Sequence, residues 1–274
     1  MRLYLQYLKI LLKSALQYRV SFILLSIGQF FVPFSIFISM YFLFQRFEQI
    51  KGWTLYEVAL CYAVIHIAFS LSECFFRGFD SFSSLIISGE FDRILVRPRS
   101  ALIQILGSRF EFTRIGRLFQ SFIVLVYAVY HLNLDWNYLK IITLIAMILS
   151  GVVIFAGIFI LGATLTFWTI EGLEVINILT DGGREISQYP LNIYPNWVKN
   201  FFTFVIPFGT INYLPLLYVL DKTNKASVES KPPDKPKITF STPICLILLA
   251  KAATWIANIF LNAGSGFTLG INGV

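Results

Sequence analysis

Residues with the chemistry to act on a substrate are few and scattered in this chain. Two histidines stand among 274 residues, and the three cysteines, Cys61, Cys74 and Cys245, lack CxxC spacing and sit in or at the ends of apolar segments. Such thiols pack as small hydrophobes. No HExxH or GxSxG run occurs, and no GxxxxGK followed by Ser or Thr, so the sequence carries no sign of zinc-protease, serine-hydrolase or phosphate-loop chemistry. What remains is electrostatic. Glu73 precedes Arg77 by four residues, one helical turn, and reads as a stabilising ion pair. His66 lies mid-way along an apolar stretch and reads as a hydrogen-bonded packing residue. Asp181, Arg184 and Glu185 form a second cluster, with Asp181 and Arg184 one turn apart. It serves either to lock two helices together or to meet a polar substrate. The third group is the block 88–99, Ser-Gly-Glu-Phe-Asp-Arg-Ile-Leu-Val-Arg-Pro-Arg. Gly89 reads as a turn, Phe91, Ile94 and Leu95 as one side of a short amphipathic segment, and Pro98 as its stop. Asp92, Arg93 and Arg97 supply its charge. Docking a partner and lying as a basic loop on lipid are equally open for it.

The elements that position these residues are apolar and long. Hydrophobic residues make up 57% of the chain and charged ones 14%, and the mean hydropathy is +0.72. That is not the mix of a soluble globular domain. A bilayer core about 30 Å thick takes about 20 apolar residues per helix. Residues 20–45, 118–134, 141–170 and 200–220 carry no charge, 58–76 only Glu73, and 238–274 only Lys251. The net charge of +7 sits between these stretches, where it orients spans, and not in a patch fit for nucleic acid.

Ahead of the first span, Arg2, Gln6, Lys9, Lys13 and Gln17 share one helical face. Tyr4, Tyr7, Leu8, Leu11, Leu12 and Ala15 share the opposite one. Residues 1–19 are thus expected to be a retained helix at the membrane interface, its basic side on anionic lipid headgroups. With the N-terminus cytoplasmic, 20–45 runs outward and 58–76 returns. Region 77–117 then holds seven arginines against four acids and should be cytoplasmic. Residues 118–134 run outward and 141–168 back. Segment 169–188 keeps a helical rhythm despite its charges and reads either as cytoplasmic or as a fifth span. Pro190, Pro195, Pro207 and Pro215 interrupt the next stretch, which suits a re-entrant excursion covered by protein. Five lysines against three acids in 221–237 weigh mildly against placing that loop outside.

Gly89, Asp92, Leu95, Arg97 and Pro98 resemble the glycine, aspartate, leucine, arginine-proline pattern found after the second span of ABC-2 type transporter permeases. The run Ser187-Gln-Tyr-Pro-Leu-Asn-Ile-Tyr-Pro-Asn-Trp197, and Phe204-Val-Ile-Pro-Phe-Gly-Thr-Ile-Asn-Tyr-Leu-Pro215 after it, are similar to the tyrosine-proline and asparagine-tyrosine-leucine-proline runs of a bacterial branch of that family. Trp255 fits a tryptophan-bearing last span, whereas the uncharged, glycine-rich 258–274 departs from the short basic or polar tail of such proteins.

The resemblance implies one all-α transmembrane domain over 1–274, without a nucleotide-binding domain. It has six spans, the N-terminal interfacial helix and an outer re-entrant hairpin at 189–220 before the last span. Segment 169–188 becomes the fifth span, and Tyr189, Pro190, Pro195, Trp197, Pro207, Asn212 and Pro215 mark the hairpin. It implies an exporter subunit of a bacterial plasma membrane, paired with a second permease, identical or homologous. Two separate ATPase subunits would hold ATP and Mg, and this chain would bind no cofactor and no metal. Gly89, Phe91, Asp92, Arg93, Leu95, Arg97 and Pro98, with the interfacial helix bearing Arg2, Lys9 and Lys13, would be the surface the ATPase grips. Against this stand a non-transporting scaffold and an ATP-independent lipid or small-solute carrier. No inverted repeat of the carrier kind is visible.

Overall fold

The computed structural model of the chain describes residues 2–98, 101–167, 169 and 172–222. Among them only helices, turns and one isolated bridge, between Ile50 and Trp53, occur. Four helical stretches among the described residues are long and apolar enough to cross a membrane: Arg19–Arg46, Leu55–Ile87, Phe112–His131 and Tyr138–Leu165. The molecule is therefore an all-α, multi-pass membrane protein. The expected last span at 238–274 and nearly all of loop 221–237 lie outside the described residues.

Helix α1 (Arg2–Gln17) meets α2 (Arg19–Arg46) at Tyr18, whose non-helical backbone separates two otherwise continuous helices. On α1 the half-buried residues are Tyr4, Tyr7, Leu8, Leu11 and Ala15, all within about one third of the helical circumference. Lys9 and Lys13 are exposed. Leu12 departs from its expected face: it is exposed and joins Leu5 and Leu16 in a second apolar strip beside the basic one.

Helix α3 (Leu55–Phe76) is the axis of the bundle. Its apolar window is 83% buried against 11% for α2, because neighbours cover it on every side. Glu57 starts it by accepting the Thr54 N–H at 2.9 Å, half of a capping box. Helix α7 (Ile115–His131) lies antiparallel to α3, pairing Tyr56 with His131 at one end and Glu73 with Arg117 at the other. Helix α8 (Tyr138–Leu165) lies parallel to α3, where Phe69 meets Phe155 and a Cβ on Gly151 would collide with Ala68. Helix α9 (Gly172–Ser187) returns antiparallel to α8, with Ile176 filling the space over Gly162 and Gly183 under the Phe208 ring. Five helices thus alternate in direction. We call the end holding Arg77 and α1 basal and the end holding loop 50–53 apical.

Three short helices, α4 (Phe82–Ile87), α5 (Glu90–Val96) and α6 (Ala101–Leu106), fill the basal end between α3 and α7. After α9, a segment with α10 (Asn196–Asn200), two π-helical turns at Phe201–Val205 and Gly209–Tyr213, and α11 (Leu214–Val219) folds back on itself. Both its ends touch the apical loop: Lys51 Nζ donates to the Ile193 carbonyl at 3.1 Å and Lys222 Nζ to that of Gly52 at 2.8 Å. Its middle goes deep, since Phe208 is fully buried and packs on Phe155 midway along α8. Pro207, between the π turns, lacks the N–H that would continue a helix, so the chain reverses there.

Candidate coupling surface and interior polar seam

At the basal end, Gly89 makes the turn from α4 into α5 with φ +70°, a left-handed conformation that costs glycine nothing. That turn orients α5. Phe91 and Ile94 point inward, and Gln104 Nε2 donates to the Ile94 carbonyl at 3.4 Å. The Phe91 ring meets Phe82 at 5.0 Å and Phe167, just past α8, at 5.8 Å. Asp92, Arg93, Leu95, Val96, Arg97 and Pro98 are exposed. Leu95 therefore does not share the inward side with Phe91 and Ile94, a correction to the expected grouping. It lies about 40° beyond Phe91 on a helix only two turns long, and like Val96 and Ile87 it is exposed. Helix α1 sits beside this surface: Tyr4 packs edge-on to Phe110 at 5.3 Å, and the Tyr7 ring fills the space over Gly107. Arg99 lies outside the described residues, as does the side chain of Arg2.

Three of the seven arginines in 77–117 are not loop charges. Arg77, Arg114 and Arg117 converge on Glu73, whose side chain is 3% exposed, at 2.9, 3.3 and 2.6 Å. Gln29 of α2 accepts from Arg114 at 2.7 Å and Arg117 at 3.0 Å, and Asp80 accepts from Arg77 Nε at 3.0 Å. The expected Glu73–Arg77 pair is thus one spoke of a hub that joins α2, α3 and α7. A lone buried carboxylate is costly, and several charge-assisted hydrogen bonds offset that cost.

From the hub a polar seam climbs α3 one turn at a time through Phe69, Ser70, His66 and Tyr62. His66 is buried, stacks on Tyr62 at 4.0 Å and meets Gln188 Oε1 at 3.3 Å, the hydrogen-bonded packing role its position suggests. Tyr62 Oη donates to the Pro33 carbonyl at 2.7 Å, beside Gln120 of α7. Arg184 of α9 enters the seam with its guanidinium 4.9 Å from the Phe69 centroid, while its Nη1 holds Asp181 at 3.2 Å and its Nη2 holds Glu185. Asp181 and Glu185 reach the surface.

At the apical side Asn212 is buried and donates Nδ2 to the Ser187 carbonyl at 2.8 Å and to Cys61 Sγ at 3.1 Å. It thereby ties the folded-back segment to the end of α9. Pro190 and Pro215 are buried, Tyr189 and Pro207 half-buried, Pro195 and Trp197 exposed. Cys61 and Cys74 are buried free thiols, and Cys245 lies outside the described residues. No group of three or more His, Cys, Asp or Glu suited to a metal ion occurs among the described residues.

Residues 30–267, most of this helical array, match the family described as ABC-2 family transporter protein. The chain belongs to that family. This ABC-2 permease shows no match to any curated protein or solved structure. Its family supplies the membrane part of a transporter and not a catalytic part. Reasoning from sequence missed Gln29, Arg114, Arg117, Gln120 and Tyr62 as seam residues in this permease. Their signal is periodicity: Tyr62, His66 and Glu73 recur on one face of α3, and Arg114, Arg117 and Gln120 every third residue toward it.

Proposed function

We propose that this permease is the membrane subunit of an ATP-driven ABC-2 exporter in a bacterial plasma membrane, its N-terminus cytoplasmic. It pairs with a second permease chain and with two ATPase subunits, which hold ATP and Mg. The chain itself binds no cofactor. The observation that carries this is the two-sidedness of α5. One side is anchored by Phe91 to Phe82 and Phe167, and the other presents Asp92, Leu95, Val96 and Arg97 to whatever lies below the bundle.

The antiparallel course of α9 between α3 and α8 supports a fifth crossing, with the sixth in 238–274. Residues 189–220 then form an outer re-entrant hairpin. Its buried Phe208 and its second π turn, with Ile211, Asn212 and Tyr213 buried, fit the requirement that irregular backbone at membrane depth be screened from lipid. Exposed Trp197, Phe201 and Val205, spaced four apart, would face lipid near the interface.

Copurification from the native host is the test. A phosphate-loop ATPase should accompany wild-type protein, and Asp92→Ala or Arg97→Ala should leave insertion intact while uncoupling ATP hydrolysis from transport. Absence of an ATPase points to a scaffold or an ATP-independent carrier. Normal transport in both variants refutes the docking role. Cysteine placed at Asn196 should react with impermeant maleimide from outside intact cells.

A further inference from the structure

Buried donors without partners are rare in folded proteins, and each one needs an explanation. Here several gather in one place. Arg117 Nε, Arg184 Nε, Gln120 Nε2 and Ser70 Oγ are all buried and make no hydrogen bond among the described residues. All belong to the seam where α3, α7 and α9 meet. Arg117 and Arg184 both lie over Phe69, at 5.4 and 4.9 Å. Their Nη atoms are engaged at the rims, Arg117 by Glu73 and Gln29, Arg184 by Asp181 and Glu185. Their Nε edges are left over. Two cations therefore offer N–H groups at a single aromatic ring, and Gln120 adds its amide one turn along α7 from Arg117.

Resting on the exporter reading, we propose that this seam is a binding site for the anionic group of the transported molecule. The ligand class is an oxyanion, a carboxylate or a phosphate, carried on an apolar or aromatic body. The oxyanion accepts one charge-assisted hydrogen bond each from Arg117 Nε and Arg184 Nε, and one from Gln120 Nε2. Phe69, Tyr62 and Phe155 supply the apolar contact. Asp181 and Glu185, partly exposed, hold Arg184 in place until the anion enters.

The test uses the purified full-length protein in nanodiscs of neutral lipid. Equilibrium dialysis measures binding of 1-naphthoate and 1-naphthyl phosphate, with 1-naphthalenemethanol and 1-naphthalenemethylamine as neutral and cationic counterparts on the same ring system. At least one anion should bind saturably, tenfold or more tighter than the alcohol or the amine. Arg184→Gln should weaken anion binding tenfold or more. Gln120→Leu removes the unpartnered Nε2 at nearly constant volume, gives up only the long Oε1 contacts with Tyr62 and Ser121, and should weaken it severalfold. Equal binding of anion and alcohol, meaning a merely hydrated seam, overturns the proposal. So does unchanged anion binding in monodisperse Gln120→Leu and Arg184→Gln. ATPase copurification is scored separately, so loss of the exporter reading and loss of this site are distinguishable.

Discussion

Replacing Glu73 by Gln should be the most damaging single-atom change in the bundle. The substitution keeps the volume and one acceptor oxygen but deletes the negative charge facing Arg114 and Arg117, and leaves Arg77 to Asp80. At an effective dielectric near 20 a unit pair about 4 Å apart is worth about 4 kcal/mol before desolvation. Breaking a buried pair from one side costs about 3–5 kcal/mol, because the remaining cation stays buried. At roughly 2–4 °C per kcal/mol for a chain of a few hundred residues, Tm should fall by about 10 °C. Tryptophan fluorescence during thermal unfolding in neutral detergent measures this for wild type, Glu73→Gln, Arg117→Leu and the double variant. The double variant removes both charges of the 2.6 Å pair. Its loss should fall short of the sum of the single losses by about 1–3 kcal/mol. A Tm within about 2 °C of wild type for Glu73→Gln, or strict additivity, would falsify the hub as an electrostatic unit.

Asn212→Leu removes the amide donor to Cys61 and to the Ser187 carbonyl, leaving that carbonyl only the Cys61 thiol at 3.4 Å. It should cost about 1–3 kcal/mol and make Cys61, 1% exposed in the wild type, reactive toward maleimide. Gly89→Ala forces a side chain into φ +70°, a strain of about 1–2 kcal/mol, and should speed tryptic cleavage at the exposed Arg93. Phe91→Ala empties the contact with Phe82 and Phe167. It should release α5 by about 3 kcal/mol, read as faster hydrogen exchange over 90–96 with the long helices unchanged. Lys222→Ala opens the apical ion pair with Glu57 at 2.7 Å. With the Glu57 side chain only 11% exposed, losing its cation should cost about 1–3 kcal/mol, and an unchanged Tm would contradict that.

The long apolar helices were legible because lipid length imposes a signal that hydropathy reads directly. Helix α7 nevertheless starts at Ile115, before the charge-free stretch, because Glu73 neutralises Arg117 and lets a charged residue enter the bundle. The same pairing hid Arg77, Arg114 and Arg117 among loop charges, since nothing in a local window shows that a carboxylate 44 residues away will meet Arg117. Helix α9 defeats hydropathy for a related reason. It has 16 residues and several charges, and its place in the bundle depends on Arg184 finding Phe69 on another helix. On α5 the apolar rhythm was visible, but which residue turned outward depended on Phe82 and Phe167, supplied from α4 and beyond α8. The prolines marked where 189–220 breaks, while the π turns that close it have no local signature.

How a push on α5 would spread depends on the contacts each neighbour stands to lose. The basal segment is tied at both ends to one carboxylate on α3, through Arg77 and through Arg114 and Arg117. It is tied in its middle to the end of α8 through Phe91 and Phe167. Helix α3, covered on every side, cannot tilt without breaking contacts with α2, α7, α8 and α9 together. Helix α2 is covered on one face only and can swing at far lower cost. Gln29 connects it to the hub through two hydrogen bonds, and Tyr18 separates it from α1, which rests on Gly107 and Phe110 of the same basal segment. A displacement of α5 therefore leaves α3 as the fulcrum, and the least costly outlet is α2 with α1. The polar seam between α3, α7 and α9 lies beside that fulcrum, where a small change in helix spacing alters the reach of Arg117 and Arg184 most.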